Sequence, residues 1–241
     1  MIKVAILIDG GYFLKRLPAV RADVDPKNPT DVARSIWQLV RSHLDQFKAV
    51  WKVADANQLL YRTFFYDARP YGRKAHRPVS GEGVDFARTE QARFRDSLID
   101  ALRSSRNVAV RLGEVRKEVD RSWVLRTDAQ KALLTGQRAV ADLTDEDFTL
   151  AVRQKGVDMR IGLDIASLAL KRQVDAIVLV AGDSDFVPAA KLARREGVRF
   201  VLDPLWQNIP TDLNEHIDGL TSGFPRPSAR RGNDPDSRFH G

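Results

Sequence analysis

The chain has 241 residues, 43% of them hydrophobic, which is enough for one large domain with a substantial core. Its lack of cysteine excludes disulfides and thiolate metal sites and fits a cytoplasmic protein, and no stretch approaches the ~20 apolar residues of a membrane span. The 39 Lys+Arg exceed the 32 Asp+Glu, and the resulting net charge of +7 favours a polyanionic partner such as nucleic acid.

The amino-terminal part of the chain alternates strands with helices. Residues 3–8 are a Val/Ile/Leu-rich run typical of a strand buried on both faces, and Asp9-Gly10-Gly11 forms a turn after it. The pattern then predicts a short helix near 12–17, a helix near 31–46, a strand at 59–66, a loop at 70–83, a helix at 86–104 and a strand at 108–112.

The remainder continues the alternation after a charged stretch, 114–149, in which we expect short helices. The predicted elements are a strand at 149–152, a helix at 159–171, a strand at 176–180, a helix at 186–196, a strand at 199–202 and a short helix at 211–217. This order predicts an α/β fold with a central, mostly parallel sheet and helices on both faces. We expect one domain over 1–220 and a disordered Arg/Pro/Gly-rich tail over 221–241.

Acidic residues follow the strands of this predicted sheet. Asp9 follows the first strand, Asp183 follows the strand at 176–180, and Asp158 comes just before the helix at 159–171. The carboxyl ends of parallel strands share one edge of a sheet, so these side chains should lie near one another. Each also has a structural explanation, as a turn residue for Asp9 and as a helix cap for Asp158 and for Asp185.

Asp164 is harder to explain as a cap. It lies inside the amphipathic helix, in "IGLDIASLALK", with Leu163, Ala166 and Leu170 on one side. A half-buried carboxylate needs a cation or hydrogen-bond donors. Six residues separate Asp158 from Asp164, which is about 120° around a helix, so Asp158 should lie at the helix start and Asp164 should reach in from the second turn.

Clustered carboxylates repel one another unless cations neutralise them. Ligation by oxygen alone suits Mg²⁺ or Mn²⁺. Such clusters carry out two-metal hydrolysis of phosphodiesters, in which one ion generates hydroxide and the other stabilises the leaving oxygen.

Five blocks, "ILIDGGYF", "FFYDA", "VRLGEV", "KGVDMRIGLDIA" and "IVLVAGDSDFVPAAKLARREGVRF", occur in this order over residues 1–215. In them the chain resembles the NYN-domain family, a branch of the PIN-like ribonucleases. The resemblance implies a PIN-like three-layer α/β/α fold and metal-dependent cleavage of RNA. It implies Asp9, Asp164 and Asp183 as catalytic, metal-binding residues, with Asp158 and Asp185 as acidic neighbours that also face the metal.

Several residues are candidates for contact with the RNA. Tyr12 stands where many family members have Asn, and Lys155 and Ser184 lie within the resembling blocks. The segment "ARPYGRKAHRP" adds the basic residues Arg69, Arg73, Lys74 and Arg77, with Tyr71 between them. Positive charge with an interleaved aromatic suits single-stranded RNA, although a solvated loop would have the same composition.

Other functions have less support. The sequence contains no GxSxG, HExxH, Walker A or strand-linked GxGxxG motif, and Gly11 replaces the second acid of a dehalogenase-type phosphatase. The histidines are scattered and expected at the surface: His43, His76, His216 and His240. The alternative is an RNA-binding regulatory protein that cleaves little or nothing, which Tyr12 and the basic loop favour and the acidic cluster opposes. Association of the chain into a homo-oligomer is also compatible with the sequence.

Overall fold

The computed structural model describes residues 2–117 and 123–227. In that part of the chain the strands are β1 (Val4–Asp9), β2 (Leu60–Ala68), β3 (Lys74–His76), β4 (Gly83–Asp85), β5 (Val108–Lys117), β6 (Trp123–Leu125), β7 (Phe148–Leu150), β8 (Val152–Lys155), β9 (Ala176–Val180), β10 (Arg199–Asp203) and β11 (Gly219–Leu220). The helices are α1 (Gly10–Val20), α2 (Pro29–Trp51), α3 (Glu90–Arg103), α4 (Thr127–Leu134), α5 (Val157–Leu170), α6 (Val187–Arg195) and α7 (Thr211–Asn214).

The central sheet has the strand order β11-β10-β9-β1-β2-β5-β8. All of its pairings are parallel except that of β8, which runs antiparallel to β5. The mostly parallel sheet predicted from the sequence is therefore confirmed. β1 lies at the centre and is paired on both sides, which accounts for its continuous apolar sequence.

Helices cover both faces of the sheet, so the fold has three layers. α1, α2 and α3 pack on one face, where Ile6 and Ile8 of β1 are buried, and α5 and α6 pack on the other, where Ala5 and Leu7 are buried. The alternation along β1 follows from the two-residue period of a strand. This architecture is the PIN-like α/β/α fold that the sequence predicted.

The region between β2 and α5 differs most from the sequence-based prediction. The predicted loop at 70–83 contains β3, which forms an antiparallel hairpin with β4. The single strand predicted at 149–152 is divided at Ala151: β7 pairs with β6 outside the central sheet, and β8 joins the sheet edge. As a result, β8 runs antiparallel to β5, whereas the other strands of the central sheet run parallel to their neighbours.

The carboxyl end of the described chain packs against α1 and α2. Phe224, which falls in the predicted disordered tail, is buried, and its ring centroid lies 6.3 Å from that of Phe13. His43 was expected at the surface but is fully buried, and its Nε2 lies 2.8 Å from Oδ2 of Asp203. The same Asp203 oxygen accepts a bond from the Gly223 N–H, so this carboxylate joins α2 to the chain end. The predicted tail residues 228–241 lie outside the described residues.

Within the residues that the structure describes, no helix combines the length and the apolar character needed to cross a membrane.

Candidate active site

The carboxyl end of β1 is the centre of the candidate site. Asp9 is the last residue of β1 and caps α1, because its Oδ1 accepts a 3.0 Å hydrogen bond from the Tyr12 backbone N–H. α1 begins at once at Gly10, which passes so close to β2 that a Cβ there would lie 2.6 Å from the Tyr66 carbonyl oxygen and from the Phe65 ring. The glycine thus allows Asp9 to end the strand and cap the helix at the same time.

The carboxylates at this edge interact through their charges. The pKa of Asp9 is raised to about 6, chiefly by burial; the hydrogen bond from Tyr12 opposes the rise, and the charges of Asp158 and then of Asp67 add to it. The pKa of Asp158 is raised by partial burial and then by the charges of Asp183 and Asp185. Asp158 therefore links Asp9 electrostatically to the two aspartates that follow β9.

No basic partner of these carboxylates is found among the side chains that the structure describes, which leave out residues 1, 116–122, 153, 154 and 228–241. In that set, no lysine or arginine forms an ion pair with Asp9, Asp158, Asp183 or Asp185. In the same part of the chain, no three Asp, Glu or His side chains converge closely enough to hold one metal ion. The four carboxylates nevertheless have the oxygen-donor chemistry that Mg²⁺ or Mn²⁺ prefers.

Asp164 is held differently from the other aspartates. It lies in the second turn of α5, and its Oδ2 accepts a 2.8 Å hydrogen bond from the Tyr66 hydroxyl. Nε of Arg111, on β5, lies 3.2 Å from the same oxygen. The sequence predicted that this carboxylate needs donors or a cation, and Tyr66 and Arg111 supply a donor and a positive charge from the sheet.

The "GDSDF" segment forms a tight turn after β9. Asp183 caps a 3₁₀ turn at Ser184–Phe186, because its Oδ1 accepts a 3.1 Å bond from the Asp185 N–H. α6 then begins at Val187 without a side-chain cap. The assignment of Asp185 as the cap of this helix was therefore wrong: the 3₁₀ turn moves capping to Asp183 and leaves the Asp185 side chain exposed.

Tyr12 packs against this turn. A Cβ at Gly182 would lie 2.7 Å from the Tyr12 ring, so glycine is the residue that fits beside it. The Tyr12 hydroxyl donates a 2.5 Å bond to the Pro204 carbonyl oxygen, and burial raises the pKa of this phenol to about 12. The hydroxyl group is thus committed to the protein, and the part of Tyr12 that remains for a substrate is its half-buried ring.

Asp67 belongs to this neighbourhood although we did not predict it as a site residue. It follows Tyr66 near the end of β2, its side chain is fully buried, and both of its oxygens accept bonds from Nη1 of Arg95 on α3. Its charge contributes to the raised pKa of Asp9. The sequence feature that could have identified Asp67 is its position in "FFYDA", at the end of an apolar strand like Asp9. Its partner Arg95 lies 28 residues further along the chain.

The basic loop leaves the same edge of the sheet, directly after β2. Arg69, Arg73 and Lys74 are exposed, whereas Arg77 lies 4.0 Å from Glu82 and from Glu146. Tyr71 packs edge-on against Phe86, with 5.5 Å between the ring centroids. Of the four basic residues predicted to contact RNA, three therefore form no ion pair within the described residues.

The two other predicted contacts also lie near this edge. Lys155 is exposed at the end of β8, two residues before α5 begins, and Ser184 is half-buried in the 3₁₀ turn next to Asp183. Asp9, Lys155 and Ser184 thus lie on elements that end or begin at this edge, while Asp164 is turned to Tyr66 and Arg111. Lys74 instead lies on β3 of the separate hairpin.

Comparison with known proteins finds a matching family and similar chains. The NYN domain model matches residues 3–219. The uncharacterized protein y4oD of Sinorhizobium fredii is 37% identical over 68 residues, which is 26% of this chain and 32% of that protein, so the match spans about a third of its length. A solved structure of a protein of unknown function from Vibrio parahaemolyticus, VPA0982, has 16% identity and a TM-score of 0.41 over 92% of this chain and 95% of that chain.

Proposed function

Because this chain belongs to the NYN domain family, whose model matches residues 3–219, we propose that it is a metal-dependent ribonuclease. The reaction is hydrolysis of RNA phosphodiester bonds, the substrate is single-stranded RNA, and the cofactor is Mg²⁺ or Mn²⁺. The cytoplasmic setting expected from the cysteine-free sequence is part of the proposal.

One observation carries the proposal: negative charge accumulates, with no ion-pair partner among the described side chains, at the edge of the sheet where ligands bind in α/β folds. The raised pKa of Asp9, about 6, chiefly expresses the free-energy cost of burying this carboxylate in its ionised form, and the charges of Asp158 and Asp67 add to that cost. A protein that only bound phosphates would gain nothing from such an arrangement. A divalent cation would relieve it.

The residues present fit such an ion by their donor chemistry. Asp9, Asp158 and Asp183 would hold it after moving closer together than they lie in the structure, with Asp185 and Asp164 at its border. The bound ion would supply an activated water and stabilise the leaving oxygen. Asp9 keeps its orientation through the bond from the Tyr12 N–H. Asp183 is oriented by its bond from the Asp185 N–H.

The basic loop supplies the substrate side of the proposal. Arg69, Arg73 and Lys74 are exposed where the chain leaves β2, and they would bind the RNA backbone on either side of the scissile phosphate. The half-buried ring of Tyr12 packs against Gly182, and the Tyr12 backbone N–H bonds Asp9, so the ring would limit the space for the substrate near this carboxylate.

A second candidate function, RNA binding with little or no cleavage, is favoured by one specific observation. Asp164 is bonded by Tyr66 and Arg111, so one of the expected metal-binding carboxylates already has protein partners. Such a protein would bind RNA through the basic loop and would gain no stability from Mn²⁺.

Cleavage assays distinguish the two functions. We would incubate the protein with labelled single-stranded RNA, duplex RNA and single-stranded DNA, each with Mn²⁺, Mg²⁺ or EDTA. The proposal expects Mn²⁺- or Mg²⁺-dependent cleavage of single-stranded RNA that is abolished in Asp158→Asn and Asp183→Asn. The matched control is Asp100→Asn on α3, whose side chain is 77% exposed. Binding without cleavage would identify the second function, and neither binding nor cleavage would contradict both.

A further inference from the structure

α5 has a second apolar face that the core does not use. Its inner face is buried through Val157, Ile161, Ile165, Leu168 and Ala169. On the outer face, Met159 is 71% exposed, Leu163 is 62% exposed and Leu170 is 59% exposed. At 100° per residue, these three side chains and Ala166 form one line directly opposite the buried face. The sequence predicted that Leu163, Ala166 and Leu170 share a side, and that side faces away from the sheet.

The spacing within this line, which we call the outer seam of α5 (Met159, Leu163, Ala166 and Leu170), is four, three and four residues. That is the spacing with which two helices pack along each other. Single exposed apolar side chains are ordinary on a protein surface, but a continuous row of them along one helix is a feature of interaction sites.

Gly162 beside the seam gives an independent indication. Glycine inside a helix is less favourable than alanine, so it needs a reason. A Cβ at Gly162 would meet no atom within 4 Å, and this residue has an ordinary helical backbone. Nothing within the described chain therefore requires glycine there. Close approach of another backbone from outside would require it.

We propose that the outer seam of α5 is the surface through which two copies of this chain associate. The seam is self-complementary, because a spacing of four, three and four reads the same in both directions. In an antiparallel pair, Leu163 of each copy lies opposite the small Ala166 of the other, and Met159 lies opposite Leu170. The contact is therefore isologous and closed, as a two-fold dimer requires.

The exposed area sets the expected strength of the dimer. The three large side chains expose on the order of 100 Å² each, so the two seams together bury roughly 600 Å² of apolar surface before flanking groups are counted. Interfaces below about 1,200 Å² belong to weak complexes. We therefore expect an equilibrium between monomer and dimer in the micromolar range. This association does not depend on the proposed nuclease activity.

Sedimentation equilibrium between about 1 and 300 μM tests the proposal. The wild-type chain should pass from monomer to dimer over this range, and Leu163→Glu should stay monomeric with an unchanged circular dichroism spectrum and Tm. The matched control is Leu134→Glu on α4, whose parent side chain is 81% exposed and which should dimerise like the wild type. Gly162→Leu should weaken dimerisation at least tenfold although leucine favours the helix.

The absence of cysteine allows a second, direct measurement. A chain with Leu163→Cys mixed with a chain with Ala166→Cys should form a disulfide-linked dimer under mild oxidation, because these two positions face each other in the antiparallel pair. A chain with Leu134→Cys mixed with the Ala166→Cys chain should not. A wild-type chain that is monomeric throughout the range overturns the proposal, as does a Leu163→Glu chain that dimerises normally. A monomer that binds a different protein through Leu163 would also overturn it, since the partner would not be a second copy.

Discussion

The hydroxyl of Tyr66 donates a 2.8 Å hydrogen bond to Oδ2 of Asp164, so a side chain of the sheet holds the carboxylate that interrupts the apolar sequence of α5. Arg111 reaches the same oxygen at 3.2 Å and lies opposite Tyr66 in the register of β2 and β5. Burial and the charge of Asp164 raise the pKa of Tyr66, which keeps it a donor. The helix and the sheet are thus joined by a polar contact next to the candidate site.

A double-mutant cycle tests the strength of this contact. Tyr66→Phe removes the donor and Asp164→Asn removes the charge, and each should lower the free energy of unfolding. Because a hydrogen bond to a charged group contributes about 1.5–3 kcal/mol, we expect a coupling energy of at least about 1 kcal/mol for this partly exposed pair. Urea unfolding of the four proteins gives the value. Additive effects would mean that the two side chains do not interact in solution.

The raised pKa of Asp9 predicts a pH-dependent effect of Asp9→Asn. The folded-state pKa is about 6 and the ordinary value is 3.8, so the folded chain binds a proton more readily than the unfolded chain. Ionised Asp9 therefore destabilises the metal-free protein, and this penalty appears as the pH rises from about 4 and is complete above about 6. Asparagine keeps the cap of α1 and removes the charge.

We therefore expect Asp9→Asn to stabilise the metal-free protein at pH 7.5, by at most about 3 kcal/mol, and to have no effect near pH 4. Urea unfolding in EDTA at pH values from 4 to 8 measures the difference between variant and wild type. A difference that does not change with pH would show that Asp9 has an ordinary pKa.

The two aspartates of "GDSDF" should respond differently to alanine. Asp183→Ala removes the acceptor for the Asp185 N–H and should lower the free energy of unfolding by about 1 kcal/mol, whereas Asp183→Asn should keep that bond. Asp185→Ala should leave stability unchanged in EDTA, because the Asp185 side chain caps no helix. Thermal unfolding of the three variants in EDTA provides the comparison, and a loss in Asp185→Ala as large as that in Asp183→Ala would contradict the structure.

The basic loop should contribute to RNA affinity through charge. Replacing Arg73 and Lys74 by glutamine should weaken binding and lower the slope of log affinity against log salt by about 1.4, since each neutralised phosphate of a single strand contributes about 0.7. Fluorescence anisotropy at several salt concentrations measures this slope. The charge-matched control is Arg103→Gln with Arg106→Gln, at the opposite edge of the sheet, where the slope should not change. Equal slopes in all three proteins would mean that this segment is a solvated loop that does not contact RNA.

How far the site could be predicted depended on how local its interactions are. The positions of Asp9, at the end of β1, and of Asp183, in the turn after β9, could be read from the sequence because each comes at the end of an apolar run. Parallel strands end at one edge of a sheet. The burial of Asp67 could not be predicted, because it depends on an ion pair with Arg95, which lies on α3. His43 was misassigned for the same reason, since its partner Asp203 lies 160 residues away.

The direction of β8 and the cap of α6 were missed for a different reason. β8 is a short edge strand with a polar sequence, and nothing in such a sequence states whether it runs parallel or antiparallel to its neighbour. The cap of α6 depended on a single 3₁₀ turn, which moved the start of the helix by one residue and transferred capping from Asp185 to Asp183. Boundaries of this kind respond to small differences in backbone geometry that residue patterns do not report.

The contact between Gly182 and Tyr12 leads to the last prediction. Gly182→Ala would place a Cβ 2.7 Å from the Tyr12 ring, and the ring cannot move away freely because its hydroxyl is bonded to Pro204 and its backbone N–H to Asp9. Overpacking of this kind typically costs 1–3 kcal/mol, so we expect a loss of about that size in urea unfolding.

A smaller residue at position 12 should relieve the clash. In a Tyr12→Ser background, which removes the ring, Gly182→Ala should lower the free energy of unfolding by less than about 0.5 kcal/mol, because the added methyl group meets no aromatic atom. Tyr12→Ser keeps the backbone N–H that bonds Asp9, so the carboxylate should stay in position. If Gly182→Ala is equally destabilising in both backgrounds, the glycine is required by the turn itself and not by the tyrosine.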